Sequence, residues 1–237
     1  MPTVTTTYAL IPGAGGNAWY WHRVVPLLVA AGVDAIPIEL PAADDAADLD
    51  TYADTACRAL ADVTGPLVIV GQSMGAFTAP IVAERLSAAM LVLVNPMVPS
   101  PGETPGQWWE ATGQRAAMRA HFRRIFLGER PFDMVEDFFH DVPDHIRDAA
   151  IRQGDPPQSD TPFAQPWPLD RWPDVPTRVI TGRDDRLFPL DFQQSLVRER
   201  LGLDVEVIPG GHLVSLSRPT ELTERLLAVG SDVLNAR

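Results

Sequence analysis

Ser73 stands within Gly71-Gln72-Ser73-Met74-Gly75, preceded by the apolar run Leu67-Val68-Ile69-Val70 and followed by an Ala-rich stretch of helical character. A serine on a sharp strand-to-helix turn projects its hydroxyl and can serve as the nucleophile of acyl transfer. The glycines two residues to either side have a steric purpose, because strand and helix converge there and the serine backbone is strained. A hydroxyl becomes nucleophilic only when a base takes its proton, and imidazole, with an ordinary pKa near 6.5, does so close to neutrality. A carboxylate behind the ring fixes its tautomer and stabilises the imidazolium. Two acids, Asp184 and Asp185, sit in Gly182-Arg183-Asp184-Asp185 after the short apolar run Val179-Ile180-Thr181. His212 sits in Pro209-Gly210-Gly211-His212, after the alternating Leu203, Val205 and Val207.

The elements needed to position these groups alternate along the chain. Strands are predicted over 5–11, 33–38, 67–71, 90–95, 177–181 and 205–208, and helices over 19–31, 51–63, 74–86, 190–201 and from Pro219 onward. Such alternation implies a mostly parallel sheet covered by helices on both faces. Pro80 removes one hydrogen bond from the helix after Ser73 and predicts an irregularity there. The alternation breaks between Pro96 and Pro176, a stretch with 13 of the 23 prolines and 10 of the 18 aromatic residues. That composition predicts an inserted helical cap. Trp108, Ala111, Met118, Phe122 and Phe126 fall near one helical stripe that Gly128 would end, and Met134, Val135, Phe138 and Phe139 suggest a second amphipathic piece. Most of these aromatics are expected to form the cap's own core, with a few lining a pocket above the carboxyl ends of the strands.

Gly13-Ala14-Gly15-Gly16 follows the apolar Tyr8-Ala9-Leu10-Ile11, and glycines there let backbone amides turn toward a ligand. An oxyanion hole is the natural use. The rival reading, a phosphate-binding loop, lacks both G-x-G-x-x-G and G-x-x-x-x-G-K-[ST].

Taken together, Leu10-Ile11-Pro12-Gly13-Ala14-Gly15-Gly16, Gly71 to Gly75 and Gly210-Gly211-His212 give the chain a resemblance to compact bacterial α/β-hydrolases of the esterase type, related to plant methylesterases and hydroxynitrile lyases. The resemblance spans nearly the whole chain and implies the α/β-hydrolase fold. That fold orders its triad Ser, Asp, His. Of His22, His121, His140, His145 and His212 only His212 follows the acid. The family's acid falls on the third residue after the strand-ending glycine, which selects Asp185 over Asp184. Its oxyanion donors fall on the amides of Ala14 and Met74. Pro12 departs from the pattern, since relatives commonly carry histidine there, so the loop is anchored differently. The plant lyases use a lysine for the departing cyanide, and this chain has none; all 19 basic residues are arginine.

Length and composition suit one domain over 1–237, with a core of 1–95 and 177–237 and the cap at 96–176. The net charge of −12 opposes nucleic acid and anionic membranes as partners. Met1-Pro2-Thr3-Val4-Thr5 has neither a basic region nor an apolar signal core, and no uncharged run approaches a membrane span, so a cytoplasmic location is expected. The lone cysteine, Cys57, shares helical spacing with Tyr52, Ala56 and Leu60 and is read as a structural thiol. His140 and His145, each beside an aspartate, have no third ligand at fixed spacing, so solvated or capping roles are expected, with no metal and no cofactor. The expectation is a serine hydrolase of a small, largely apolar carboxylic ester, monomeric or homodimeric. A lyase or cyclase on the same scaffold and a ligand-binding pseudoenzyme are the alternatives.

Overall fold

Strands buried on both faces must be apolar throughout, and the six runs of this chain form one such sheet. The computed structural model describes residues 5–154 and 156–235. Residues 1–4, read above for a leader, lie outside them. The strands are β1 (Thr7–Ile11), β2 (Asp34–Pro37), β3 (Leu67–Gln72), β4 (Met90–Val94), β5 (Thr177–Gly182) and β6 (Glu206–Ile208). They lie in the order β2-β1-β3-β4-β5-β6, and all five pairings are parallel. The register aligns Ile11 with Gly71, Gly71 with Leu93, Val94 with Ile180 and Gly182 with Ile208, so the carboxyl ends of five strands finish along one edge. The loops that follow them carry every chemical group singled out from the sequence.

The helices are α1 (Val25–Ala30), α2 (Leu49–Ala59), α3 (Gly75–Arg85), α4 (Pro105–Ala111), α5 (Gln114–Phe126), α6 (Asp144–Gln153), α7 (Thr161–Ala164), α8 (Leu190–Leu201), α9 (Val214–Ser217) and α10 (Pro219–Asn235). Strand side chains alternate between two cores, as a period of two requires. Tyr8, Leu10, Val68, Val70 and Val92 pack with Trp21, Leu28 and Leu226 on one face. Ala9, Ile11, Ile69, Leu91 and Leu93 pack with Ala53, Phe77 and Val197 on the other. Each such large apolar side chain contributes on the order of 1.5–3 kcal/mol by leaving water. Burial raises the Tyr8 phenol to about 12, and its hydroxyl donates to the Leu226 carbonyl at 2.9 Å, which ties β1 to α10.

Three expected elements differ in detail. The helix over 19–31 is a short 3-10 turn, Ala18–Trp21, followed by a separate α1 with proline in its first turn. Pro26 lacks an N–H and suits a helix start, so the chain restarts there. The expected irregularity at Pro80 does not end α3, which runs unbroken through it with nine of its eleven residues buried. Tertiary packing outweighs the one lost hydrogen bond. The single stripe from Trp108 to Phe126 is two helices, because Gly113 takes a left-handed φ of 69° between α4 and α5, and α5 ends at Phe126, capped by Leu127 and not by Gly128.

The aromatics of the inserted stretch form a core of their own only in part: the buried Phe122 packs on Phe126 and Phe132, and Phe132 on Phe138. Trp108 and Trp167 are fully buried in the sheet-face cluster, donating their indole N–H groups to the carbonyls of Val98 and Phe77, each at 2.9 Å. Phe139 and Val142 instead join Leu213 and Leu216 in a small cluster beneath the His212 loop. The insertion is thus sutured to the sheet along one side.

Candidate active site

Ser73 occupies the turn between β3 and α3 with a φ of 51°, a left-handed conformation that costs a non-glycine residue of order 1–3 kcal/mol. Its amide donates to the Val94 carbonyl and its carbonyl accepts from the Met97 amide, both at 3.0 Å, so β4 and the segment after it hold the strained residue from two sides. The flanking glycines are needed for space. A Cβ on Gly71 would lie 2.6 Å from the Ala79 Cβ, and one on Gly75 would lie 2.5 Å from the Pro12 carbonyl oxygen.

The loop after β6 delivers His212, 1% exposed, and the loop after β5 delivers Asp185, fully buried. The His212 Nδ1 lies 2.8 Å from the Asp185 Oδ2, and its Nε2 lies 3.0 Å from the Ser73 Oγ. An ionised carboxylate only accepts, so Nδ1 carries the proton and Nε2 is left as acceptor for the serine hydroxyl. The second Asp185 oxygen accepts from the amides of Leu187 and Phe188 at 2.8 and 2.9 Å, which satisfies a charge that would otherwise be costly to bury. Its neighbour Asp184 faces elsewhere. The Arg183 guanidinium, 3.0 Å away, holds its carboxyl below the usual range, and it also accepts from the Gly210 amide at 3.3 Å. The two acids left open by spacing alone are therefore separated by geometry.

Asn95 was legible only as the end of a strand. It is fully buried with a φ of 43°, its amide nitrogen donating to the carbonyls of Gly211 and His212 at 3.1 and 2.9 Å, and its oxygen accepting from the Gly182 amide at 2.7 Å. One side chain thus locks the His212 loop to the end of β5. Gln72 adds a donation to the His212 carbonyl at 3.2 Å. A polar residue closing an all-apolar strand was the available signal.

The Ser73 hydroxyl opens into a cavity of about 370 Å³. Gly13, Ala14 and Gly15 form one wall, and Tyr20, Met134, Phe138 and Leu213 belong to its apolar lining. Phe138 and Phe188 both set ring edges against the His212 imidazole, with centroids 4.9 Å away. Apart from His212 and the phenol of Tyr20, no ionisable side chain lines this cavity among the described residues. An adjoining cavity of about 330 Å³ shares Gly15, Gly154 and Pro156 but holds Glu39 and Asp44 and none of the reactive groups. Met134, Val135 and Phe138 lie on a five-residue π-helical turn, Met134–Phe138. Its buried Asp137 accepts from Arg130 at 2.9 Å and from the Asp133 amide at 2.8 Å, with Arg186 at 3.5 Å. This ionic knot holds the turn that presents Phe138.

His140, expected at a solvated or capping position, is instead largely buried against Gly211, where its ring leaves no room for a Cβ. Burial lowers its pKa. Beside it Asp141 accepts from the Gly211 amide at 2.9 Å. His145 is exposed in the first turn of α6. Cys57 is a free, partly buried thiol whose pKa burial raises, which keeps it protonated and inert. No three His, Cys, Asp or Glu side chains come together as metal ligands would among the described residues, and no helix there is long and apolar enough to cross a membrane.

A parallel sheet with a strained serine between β3 and α3, an acid after β5 and a histidine after β6 defines a class, and comparison with known sequences agrees: the α/β hydrolase family pattern matches residues 9–225, and the chain belongs to that family. Among its relatives is polyneuridine aldehyde esterase of Rauvolfia serpentina, 22% identical over 94% of each chain. Another is the alpha-hydroxynitrile lyase of Arabidopsis thaliana, 24% identical over 96% of this chain and 98% of the other. In fold, the crystal structure of polyneuridine aldehyde esterase superimposes with a TM-score of 0.77 at 21% identity over 95% and 99% of the two chains, and a pyrethroid hydrolase from Sphingobium faniae JZ-2 with 0.72 at 22% over 94% and 96%.

Proposed function

We propose that this protein is a serine esterase acting on small, largely apolar carboxylic esters through an acyl-enzyme. The observation that carries the reading is the hydrogen-bonded row Ser73, His212, Asp185 opening into an apolar cavity. Ser73 Oγ attacks the ester carbonyl as its proton passes to His212 Nε2, and Asp185 stabilises the imidazolium. The oxygen that becomes negative is met by the amides of Ala14 and Met74. Met74 stands at the N-terminal end of α3, where amides have no intrahelical acceptor. The Gly13 carbonyl, in the same peptide unit as the Ala14 N–H, accepts from the Gly16 amide at 3.1 Å, which turns that N–H the opposite way. Collapse of the adduct breaks the C–O bond as His212 gives its proton to the leaving oxygen, releasing the alcohol, and water repeats the sequence to release the acid. The inserted segment closes the site as a cap, and its side chains favour an apolar acyl or alcohol group.

The esterase names among the relatives support hydrolysis, while the lyase relative makes cyanohydrin cleavage the reaction to test against it. A departing cyanide needs a cation or a strong proton donor, and the cavity lining offers no lysine or arginine among the described residues. The test is a fluorophosphonate probe with p-nitrophenyl acetate to octanoate, and mandelonitrile in parallel. Labelling of Ser73 and acid release from the shorter esters are expected. Serine-dependent aldehyde release from mandelonitrile, with no acid from any ester, would overturn the assignment.

A further inference from the structure

The loop after β1 forms a hydrogen-bonded turn over Gly13–Gly16, and Gly15 at its third position has a φ of 84°, the value a type II turn requires there. The central peptide of such a turn, here Ala14–Gly15, is the one whose rotation converts type II into type I. Its N–H is held from outside the loop: Gly15 donates to the Gln158 Oε1 at 2.8 Å, across a sequence separation of 143 residues. The Gln158 Nε2 donates to the Ser159 carbonyl at 2.8 Å and to the Tyr52 hydroxyl at 3.2 Å. A reversed amide would place donor against donor at Gly15 and acceptor against acceptor at the Ser159 carbonyl, so the orientation is fixed by its partners.

The same strap is fastened around the turn. Pro156 packs so closely on Gly15 that a Cβ there would lie 2.6 Å from the proline ring. Ser159 donates its amide to the Ala42 carbonyl at 2.7 Å, and Leu40 donates to the Gly16 carbonyl at 2.9 Å. Pro12, at the start of the loop, has neither an N–H nor a polar side chain with which to hold it.

From this arrangement we infer that Gln158 is a positioning residue for ester hydrolysis, holding the Ala14–Gly15 peptide so that the Ala14 carbonyl stays turned away from the reacting oxygen, which the Ala14 N–H of the preceding peptide meets. The inference rests on the esterase reading and adds the residue that keeps a backbone carbonyl out of its oxyanion hole. Without Gln158 the peptide is free to rotate, and the Ala14 carbonyl then swings to the side now held by the Gly15 N–H. That is the cavity side, since Gly15 and Gln158 both line it. The negative end of a peptide dipole would then face the developing negative charge. Gln158 needs no contact with substrate to have this effect.

The test replaces Gln158 by Leu and, separately, by the unbranched Met, neither of which offers an amide oxygen. For both variants kcat is expected to fall about 10-fold, short of the 10²–10³ for complete loss of an oxyanion donor, with KM within about 2-fold. The inhibition constant of an alkyl trifluoromethyl ketone, whose serine adduct is tetrahedral, is expected to rise by the same factor as kcat/KM falls. By NMR, the Gly15 amide should be protected from hydrogen exchange in the parent protein and lose that protection in both variants. Unchanged kcat with unchanged Gly15 protection overturns the inference, and so does a raised KM at unchanged kcat, which would make Gln158 a substrate contact. If the parent protein shows no Ser73-dependent ester turnover, the esterase reading fails instead, and that is visible before any variant is made.

Discussion

At the sheet edge Ser73, Asp185 and His212 are each held by hydrogen bonds to their backbones, Ser73 half-buried and the other two buried, whereas across the cavity Met134, Val135 and Ile151 reach in from short helical pieces with 58%, 43% and 50% of their surface exposed. The sheet side is organised by register: five parallel strands end level, and one buried asparagine ties the His212 loop to the end of β5. The inserted side is organised by a proline-rich chain, a π-helical turn and an ionic knot around a buried aspartate. Groups that exchange protons need fixed distances, and groups that recognise an acyl chain need only shape and dryness. The two walls of one cavity therefore tolerate change very differently.

The largest expected effect lies on the sheet wall. Ser73→Ala should lower kcat by about 10⁴-fold or more with the melting temperature nearly unchanged, since the hydroxyl is not part of the packing. Asp185→Asn should cost about 10⁴-fold by admitting the wrong histidine tautomer, while Asp184→Asn should leave kcat within about 3-fold, because its carboxylate faces Arg183 and Gly210. Kinetics and thermal melting of the three variants check this, and the reverse ranking of the two aspartates would move the acid.

On the opposite wall the expected losses are of stability and selectivity. Asp137→Asn leaves Arg130 and Arg186 without their shared carboxylate; both are about a quarter exposed and can turn to water, so the cost should be about 2 kcal/mol, a fall in Tm of about 4–8 °C by differential scanning fluorimetry. An unchanged Tm would show that the knot contributes nothing. Phe138→Ala removes the ring set against His212 and should shift the octanoate-to-acetate ratio of kcat/KM upward by about 10-fold, with acetate turnover largely retained. An equal loss on both esters would make Phe138 part of the chemistry and erase the distinction between the two walls.

The same contrast governs what the sequence discloses. The six strands and the reactive loops are short-range patterns: apolar runs, glycines flanking a serine, a histidine after two glycines. The exchange of partners at Asn95, Gln72 and Gln158 is invisible in one dimension, because each bonds residues between 87 and 143 positions away. In the insertion the aromatic content is plain, yet its helical stripe hid the break at Gly113, and a period of 3.6 cannot say whether Trp108 packs on its own segment or on the sheet. His140 illustrates the same gap, being polar in sequence and buried against Gly211 in the fold.

The smallest expected effect lies at the seam between the two regions, where His140 of the insertion packs on the loop of His212. Burial lowers the His140 pKa, and the Arg186 charge adds to that, against the opposing pull of Asp141 and Asp185. His121 is lowered as well, by burial and by Arg124. A histidine whose folded pKa lies below its unfolded value of about 6.5 binds fewer protons folded than unfolded, so its contribution is complete above that pH and is lost as pH falls through it. Asp184 and Asp48, both lowered, act in the carboxylate range below about pH 4 and do not enter this window. Tm should therefore decline between pH 7 and 5, and His140→Phe, which keeps a ring against Gly211 but cannot take a proton, should make that decline shallower while His121 continues to contribute. Melting curves at half-unit intervals measure the slope; an equal or steeper slope in the variant would mean that the buried imidazole does not couple protonation to the closing of insertion on sheet.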